Sequence, residues 1–296
     1  MPLSRSLYLD FFGLHQAPFS LTPHTDFFFD GGNRGATLDA LVYAIMHTEG
    51  VITVTGEVGS GKTMLSRMLI ERKPSHFEIV YIGNPSLTRE EVVTVVAEEL
   101  RMKVADKRPV QILRALQRRL IALHAAGKRV LVLIDEAHAM APSTLEEIRL
   151  LSNLETSQHK LLRIILVGQD ELDQTLATRA MRPLRERITE RFHLGPLQAS
   201  DVADYLGYRL RRAGGNPATF DPRAAAALTR ASEGLTRRIN ILAEKSLLAA
   251  FADGSRRVRV EHARQAIQEV RYRRLTGRLR PFLATLRWWP AQRLAA

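Results

Sequence analysis

The octapeptide GEVGSGKT at residues 56–63 stands directly behind the apolar run VITVT at 51–55, and no other feature limits the fold as strongly. Three glycines in eight residues let backbone N–H groups turn inward on one point, and a helix starting near Lys62 adds the positive end of its dipole. Gly56, Glu57, Val58, Gly59, Ser60 and Gly61 therefore read as a phosphate-cradling loop. Lys62 supplies a point charge for β- and γ-phosphates, and the Thr63 hydroxyl is a candidate Mg²⁺ ligand. Strand, glycine loop and helix in that order imply an α/β domain with a parallel sheet.

The rest of the chain repeats the theme. After VITVT, four further apolar runs alternate with helical periodicity: FEIVYI (77–82), RVLVLID (129–135), LRIILVG (162–168) and ERFHL (190–194). Their β-branched, nearly continuous character fits strands buried on both faces. Thr88 before REEVVTVVAEEL reads as a helix cap, and helical spacing also marks residues 37–49 and the glycine loop's own helix to Arg72. Beyond Gly195-Pro196 no strand pattern persists, and residues 199–213, 222–232, 236–253 and 260–271 read as four helices. The expected divisions are an aromatic N-terminal linker (1–33), an ATPase core (34–196), a helical lid (197–270) and a basic tail (271–296).

The complement of the loop is RVLVLIDEAH. A hydrophobic strand ending in Asp135 puts a carboxylate at the sheet's C-terminal edge, where it can hold the metal, and Glu136 follows in position to polarise a water. Two acids there point to hydrolysis. DEAH also spells a helicase motif, but one sheet in 296 residues leaves no room for a second motor domain. Gln169 closes the fourth strand and faces the γ-phosphate if that strand lies between those carrying the loop and Asp135. Arg185, Arg187 and Arg191 precede or enter the fifth strand, where an arginine could serve a neighbouring subunit's site as a finger.

Composition narrows the setting. The chain has no cysteine, so disulfides and thiolate metal sites are excluded. No run approaches the ~18 apolar residues of a membrane span, and MPLSRSLYLDFFGL lacks a secretory signal's plan, so the cytoplasm is expected. The net charge is +12, and residues 271–296 contribute seven arginines with no acid, leaving +5 for the remainder. Arginines mixed with Trp288 and Trp289 suit an anionic bilayer surface, which would put the protein peripherally at the inner membrane. They also suit a nucleic-acid backbone with stacked bases.

Taken together these residues resemble the AAA+ ATPases of the ExeA type (general secretion pathway protein A), most of all short pilus- and exopolysaccharide-associated members such as MshM. The resemblance spans residues 8 to about 255 and rests on YLDFFGLHQAPFSLTP, GEVGSGKT, LVLIDEAH, IRLLSNLETSQHKLLRIILVGQDEL, LRERITERFHLGPL and SEGLTRRINILAEKSLLAAF. It implies an αβα P-loop core with strand order 5-1-4-3-2, an all-α lid, and ATP hydrolysis with Mg²⁺ in an oligomer, a hexameric ring among the options. By position it makes Asp135 the magnesium acid, Glu136 the catalytic glutamate, Gln169 the first sensor and Arg237 the second sensor, touching ATP. Arg187 is the finger with Arg191 in reserve, and Asn84 a restraint on Glu136. Asp170 and Thr236 replace two prolines usual in the family, which should loosen the backbone beside both sensors. Larger members add a membrane span and a peptidoglycan-binding region; this sequence is expected to stop short of both.

The function this implies is a motor or switch for a cell-envelope system: secretion, type IV-like pili or polysaccharide export, acting on an unidentified partner of that system. The alternatives are a DNA-binding ATPase of the transposition-helper kind and a nucleotide switch with little turnover.

Overall fold

A computed structural model describes residues 3–104 and 108–276. In chain order the helices and strands are α1 (Leu3–Phe12), α2 (Arg34–His47), β1 (Val51–Thr55), α3 (Lys62–Arg72), β2 (Phe77–Ile82), α4 (Arg89–Glu99) and α5 (Pro109–Ala125). There follow β3 (Arg129–Ile134), α6 (Pro142–Leu151), β4 (Leu162–Val167), α7 (Asp170–Ala177), α8 (Arg182–Arg185) and β5 (Ile188–His193). The chain then continues through α9 (Ala199–Arg212), α10 (Pro222–Ser232), α11 (Thr236–Ala252) and α12 (Val260–Thr276).

The five strands form one parallel sheet in the order β2-β3-β4-β1-β5, which is the expected 5-1-4-3-2 seen from the other edge. Every residue of β1 and β4 is buried, as is all of β3 after Arg129, because helices cover both faces. Val92, Val96, Leu116, Leu120, Leu145 and Ile148 line the core of one face. Leu38, Leu41, Ile45, Leu65 and Leu69 line the other. The edge strands differ. β2 exposes Glu78 and Tyr81, and β5 alternates strictly, with Thr189, Arg191 and His193 on its exposed side. Thr88 caps α4 as its position predicted: its hydroxyl accepts from the Glu91 N–H while the Glu91 carboxylate accepts from the Thr88 N–H at 2.7 Å.

A third core holds α9–α12 together, and residues from the chain's beginning belong to it. Tyr8, Leu14, Phe19 and Phe27 are buried among Val202, Leu206, Leu228, Ile239 and Leu247. The stretch expected to be a linker is thus packed. Its Pro18–Phe29 strap, irregular but for a 3₁₀ turn at Thr25–Phe27, is held through its own backbone carbonyls, which must find donors outside a regular ladder. Arg209 Nε donates to the Pro18 carbonyl, Tyr208 Oη to Phe28 O at 2.6 Å and Arg212 Nε to Asp26 O at 2.7 Å. Between Phe220 and Val258 runs an isolated parallel bridge, so the helices are not wholly without strand pairing. Among the described residues no helix is long and apolar enough to cross a membrane. The arginine- and tryptophan-rich segment from residue 277 onward lies outside the described residues.

Candidate functional site

β1 delivers the glycine loop at the C-terminal edge of the sheet, and α3 begins immediately after it. Gly56 can be nothing larger: a Cβ there would lie 2.4 Å from the Leu194 carbonyl oxygen. Gly59 has φ +86, and a Cβ on it would lie 2.7 Å from the Cβ of Arg237. The loop's shape and its contact with α11 both depend on these missing side chains.

Lys62 is buried and folds back, its ammonium donating to Gly56 O at 2.7 Å and Glu57 O at 2.9 Å. Burial pushes its pKa down, opposed by the fields of Glu136, Asp135, Asp170 and Glu171. The loop thus holds a desolvated cation facing four acids, a charge balance that phosphate oxygens would alter strongly. Ser60 is fully buried and its Oγ has no hydrogen-bond partner among the described residues. A buried orphan hydroxyl in such a loop fits a missing anionic ligand.

Asp135 is buried at the end of β3, its Oδ1 accepting from the Glu136 N–H at 2.9 Å. Its other oxygen accepts from Tyr81 Oη on neighbouring β2 at 3.3 Å. The family resemblance makes Asn84, two residues beyond β2, a restraint on Glu136. Instead Asn84 is exposed and its Oδ1 caps a local turn by accepting from the Ser86 N–H at 3.0 Å. Tyr81 is the β2 side chain that reaches across, and burial with Asp135's charge raises its pKa. Glu136 occupies the left-handed region at φ 55 and heads a tight turn; His138 Nδ1 lies 3.5 Å from its Oε2, too far and poorly aligned for a good hydrogen bond.

β4 does lie between β3 and β1, so Gln169, the N-cap of α7, enters the space between the loop and Glu136. Asp170 begins α7, where a carboxylate is favoured by the helix's positive end, and it sits 3.8 Å from His193 Nδ1. Thr236 also compensates for its missing proline: its hydroxyl donates to Gly59 O at 2.7 Å, where a proline would have had no donor. Thr236 thus gains a hydrogen bond to the loop, whereas Asp170 Oδ1 is buried with no hydrogen-bond partner among the described residues.

Lys62, Thr63, Glu136, Gln169 and Arg237 line one cleft of about 360 Å³. The loop forms its phosphate end. The other end was not foreseen from the sequence: Leu21, Pro23 and Phe28 from the strap face Tyr205, Arg209 and Asn240 from the C-terminal helices. Tyr205 Oη donates to Asn240 Oδ1 at 2.7 Å in a fully buried pair, and Arg209 lies over the Phe27 ring at 4.5 Å. Arg34 was also missed. It is buried, has no carboxylate within ion-pair distance among the described residues, and donates to Gly32 O at 2.7 Å and Gly195 O at 2.8 Å, with Ser60 O at 3.4 Å. The aromatic excess of residues 1–33 was the available signal for the strap, since a solvated connector has no use for so many rings.

The three arginines near β5 stand apart from this cleft. Arg187 precedes Ile188, which pairs with Val51 at the start of β1, so about 16 Å of strand separates it from the loop that leaves β1's far end. Arg185 donates to Ala177 O at 3.0 Å, and Arg191 lies 3.9 Å from Asp173 Oδ1. The Arg187 side chain has no hydrogen-bond partner among the described residues, while its backbone donates to Leu184 O and accepts from the Val51 N–H.

A parallel sheet ordered 2-3-4-1-5, a glycine loop after β1 and two acids after β3 define a P-loop ATPase of the AAA+ class. The AAA domain family model matches residues 45–176. General secretion pathway protein A of Aeromonas hydrophila is 42% identical over 253 residues, which cover 85% of this chain and 46% of that protein. ATP-dependent target DNA activator B of Escherichia phage Mu is 30% identical over 159 residues, 52% of this chain and 47% of its own. The chain therefore spans about half the length of the curated relatives it matches. Among solved structures, the Aeropyrum pernix ORC2 protein superimposes with a TM-score of 0.64 at 16% identity, over 86% of this chain and 71% of that one. Pyrobaculum aerophilum Cdc6p gives 0.65 at 16% identity, over 86% and 70%. At that identity the two establish the fold alone. The chain is an AAA+ ATPase related to general secretion pathway protein A.

Proposed function

We propose that this protein hydrolyses ATP with Mg²⁺ in a self-associated assembly and thereby drives a cell-envelope process such as secretion, pilus assembly or polysaccharide export. The observation that carries the reading is the single cleft shared by Lys62, Thr63, Glu136, Gln169 and Arg237. Residues 34–196 are taken as the catalytic core and 197–270 as its lid. The hydroxyl of Thr63 and the carboxylate of Asp135 are hard oxygen donors that suit Mg²⁺, which would neutralise charge developing on the phosphates. Lys62 exchanges its loop carbonyls for phosphate oxygens. Glu136 accepts a proton from the attacking water, and Gln169 orients that water. Arg237 reaches the nucleotide from α11, whose first turn lies on the loop.

Self-association is supported by Arg187, which lies too far from its own loop to serve it and whose side chain has no competing hydrogen bond among the described residues. Specific activity should rise with protein concentration. Mixing Arg187→Ala with Lys62→Ala subunits should restore part of the activity that each lacks alone, because the intact finger of one meets the intact loop of the other. A concentration-independent rate from a monomer refutes the shared site.

The setting proposed is the cytoplasm, with residues 271–296 holding the protein to the anionic inner face of the membrane. The second reading, a DNA-handling ATPase, is favoured by the 30% identity to a target DNA activator. Anionic liposomes in a co-sedimentation assay, run beside a DNA shift assay and turnover with and without DNA, separate the two. DNA-stimulated turnover with no liposome binding moves the second reading ahead.

A further inference from the structure

Thr236 stands at the first position of α11, and the carbonyl it binds belongs to the phosphate loop 177 residues earlier. Gly59 O accepts two hydrogen bonds from that one turn: the Thr236 hydroxyl at 2.7 Å and the Arg237 N–H at 3.1 Å. Both lone pairs of the oxygen are used. Because the peptide unit is planar, fixing this oxygen fixes the direction of the Ser60 N–H across the same bond. The approach is close enough to exclude any side chain on Gly59. One peptide on, the Arg34 guanidinium stands 3.4 Å from Ser60 O while holding Gly195 O, just ahead of α9, at 2.8 Å. The outer, carbonyl side of the loop is thus held from α11 and, through Arg34 of α2, from the connection ahead of α9, while the Ser60 N–H turns inward onto Glu57 O at 3.1 Å.

We infer that Thr236 is a positioning residue: with the first turn of α11 it latches the phosphate loop through the Gly59 carbonyl, so that the loop's shape and the position of α11 are set together before any nucleotide arrives. The effect on nucleotide affinity rests on the proposed role of the loop, whereas the effect on loop order does not. Losing the hydroxyl leaves Gly59 O with the Arg237 N–H alone, so no buried carbonyl is orphaned and the change should be confined to the latch.

The test uses the full chain and three variants. Thr236→Val replaces the hydroxyl by a methyl, Thr236→Pro removes it at the first helical position where proline is accepted, and Thr236→Ser keeps it. In nucleotide-free protein, hydrogen exchange of the amides of residues 57–63 should quicken about fivefold in the valine and proline variants, and match wild type in the serine variant. Fluorescent ADP should bind about fivefold more weakly (~1 kcal/mol) to the first two and normally to the third. Unchanged loop exchange in a folded valine or proline variant overturns the latch. If wild type binds no fluorescent ADP, the nucleotide reading falls, and the exchange result still decides the latch.

Discussion

The two ends of the cleft are built by opposite means. The phosphate end is one continuous octapeptide whose backbone does the work, backed by acids at the tip of the next strand but one. The far end, the base end if a nucleotide lies as proposed, is assembled from three separated segments, the strap, α9 and α11, and is held by side chains gripping carbonyls and by one buried Tyr205–Asn240 pair. The first is chemistry set on a rigid sheet edge. The second is packing that also forms part of the third core, so the same residues shape the cleft and hold the chain together. Damage at the two ends should therefore look different: loss of function at constant stability on one side, loss of stability followed by affinity on the other.

The comparison breaks most visibly at Lys62. Lys62→Ala should weaken ATP binding by about a hundredfold or more, because it removes a charge-assisted contact, yet leave the melting temperature within about 2 °C. Titration with a fluorescent nucleotide and a thermal melt read both. Next comes Glu136→Gln, for which turnover should fall by about 10²–10⁴-fold while ATP affinity stays within about threefold, so that ATP is retained unhydrolysed. Unchanged turnover would remove Glu136 from its proposed role.

At the base end the order of effects reverses. Arg209→Ala strands the Pro18 and Ser20 carbonyls, removes the guanidinium from over Phe27, and leaves a cavity. It should cost about 3 kcal/mol, seen as a melting temperature lower by roughly 8 °C, with weaker nucleotide binding as a consequence. Tyr205→Phe is the mildest test. It leaves Asn240 Oδ1 without its donor and should cost about 1 kcal/mol, a fall of roughly 3 °C. A base-end variant that lost binding with no change in melting temperature would erase the distinction.

The phosphate end was legible because local sequence dictates it. Glycine spacing, the strand before and the helix after are all visible within residues 51–72, and β3 announces Asp135 by its run of buried residues. Strand order made Gln169's place conditional on topology, and the sheet met the condition. The four helices between 199 and 271 are legible by their period, although the last runs on to Thr276, into the stretch assigned to the basic tail. What could not be read were the meetings of distant carbonyls with side chains. Nothing in the local pattern around Arg34, Tyr81 or Arg209 distinguishes a buried arginine or a reaching tyrosine from a solvated one. Tyr81 rather than Asn84 touches Asp135 because Tyr81 still lies in β2 beside β3, whereas Asn84 has already turned away into its own Asx turn. The packing of the strap is hidden for a related reason: Pro18 and Pro23 exclude a long helix but do not exclude an irregular segment clamped by Arg209 and Arg212.

The strap's anchorage has a consequence for how the molecule comes into being. Pro18 is held by Arg209, 191 residues later, and Phe28 by Tyr208, 180 residues later. On a growing chain these rings and carbonyls emerge first and must wait until most of the protein has been made. The sheet can close in the meantime, since its strands lie between the two partners. Pairings of such sequence separation slow folding and leave apolar surface exposed while they are pending. Refolding should then show two clocks, an early one for loop and sheet and a late one for the aromatic strap, and a nucleotide pocket complete on both sides only when the second has run.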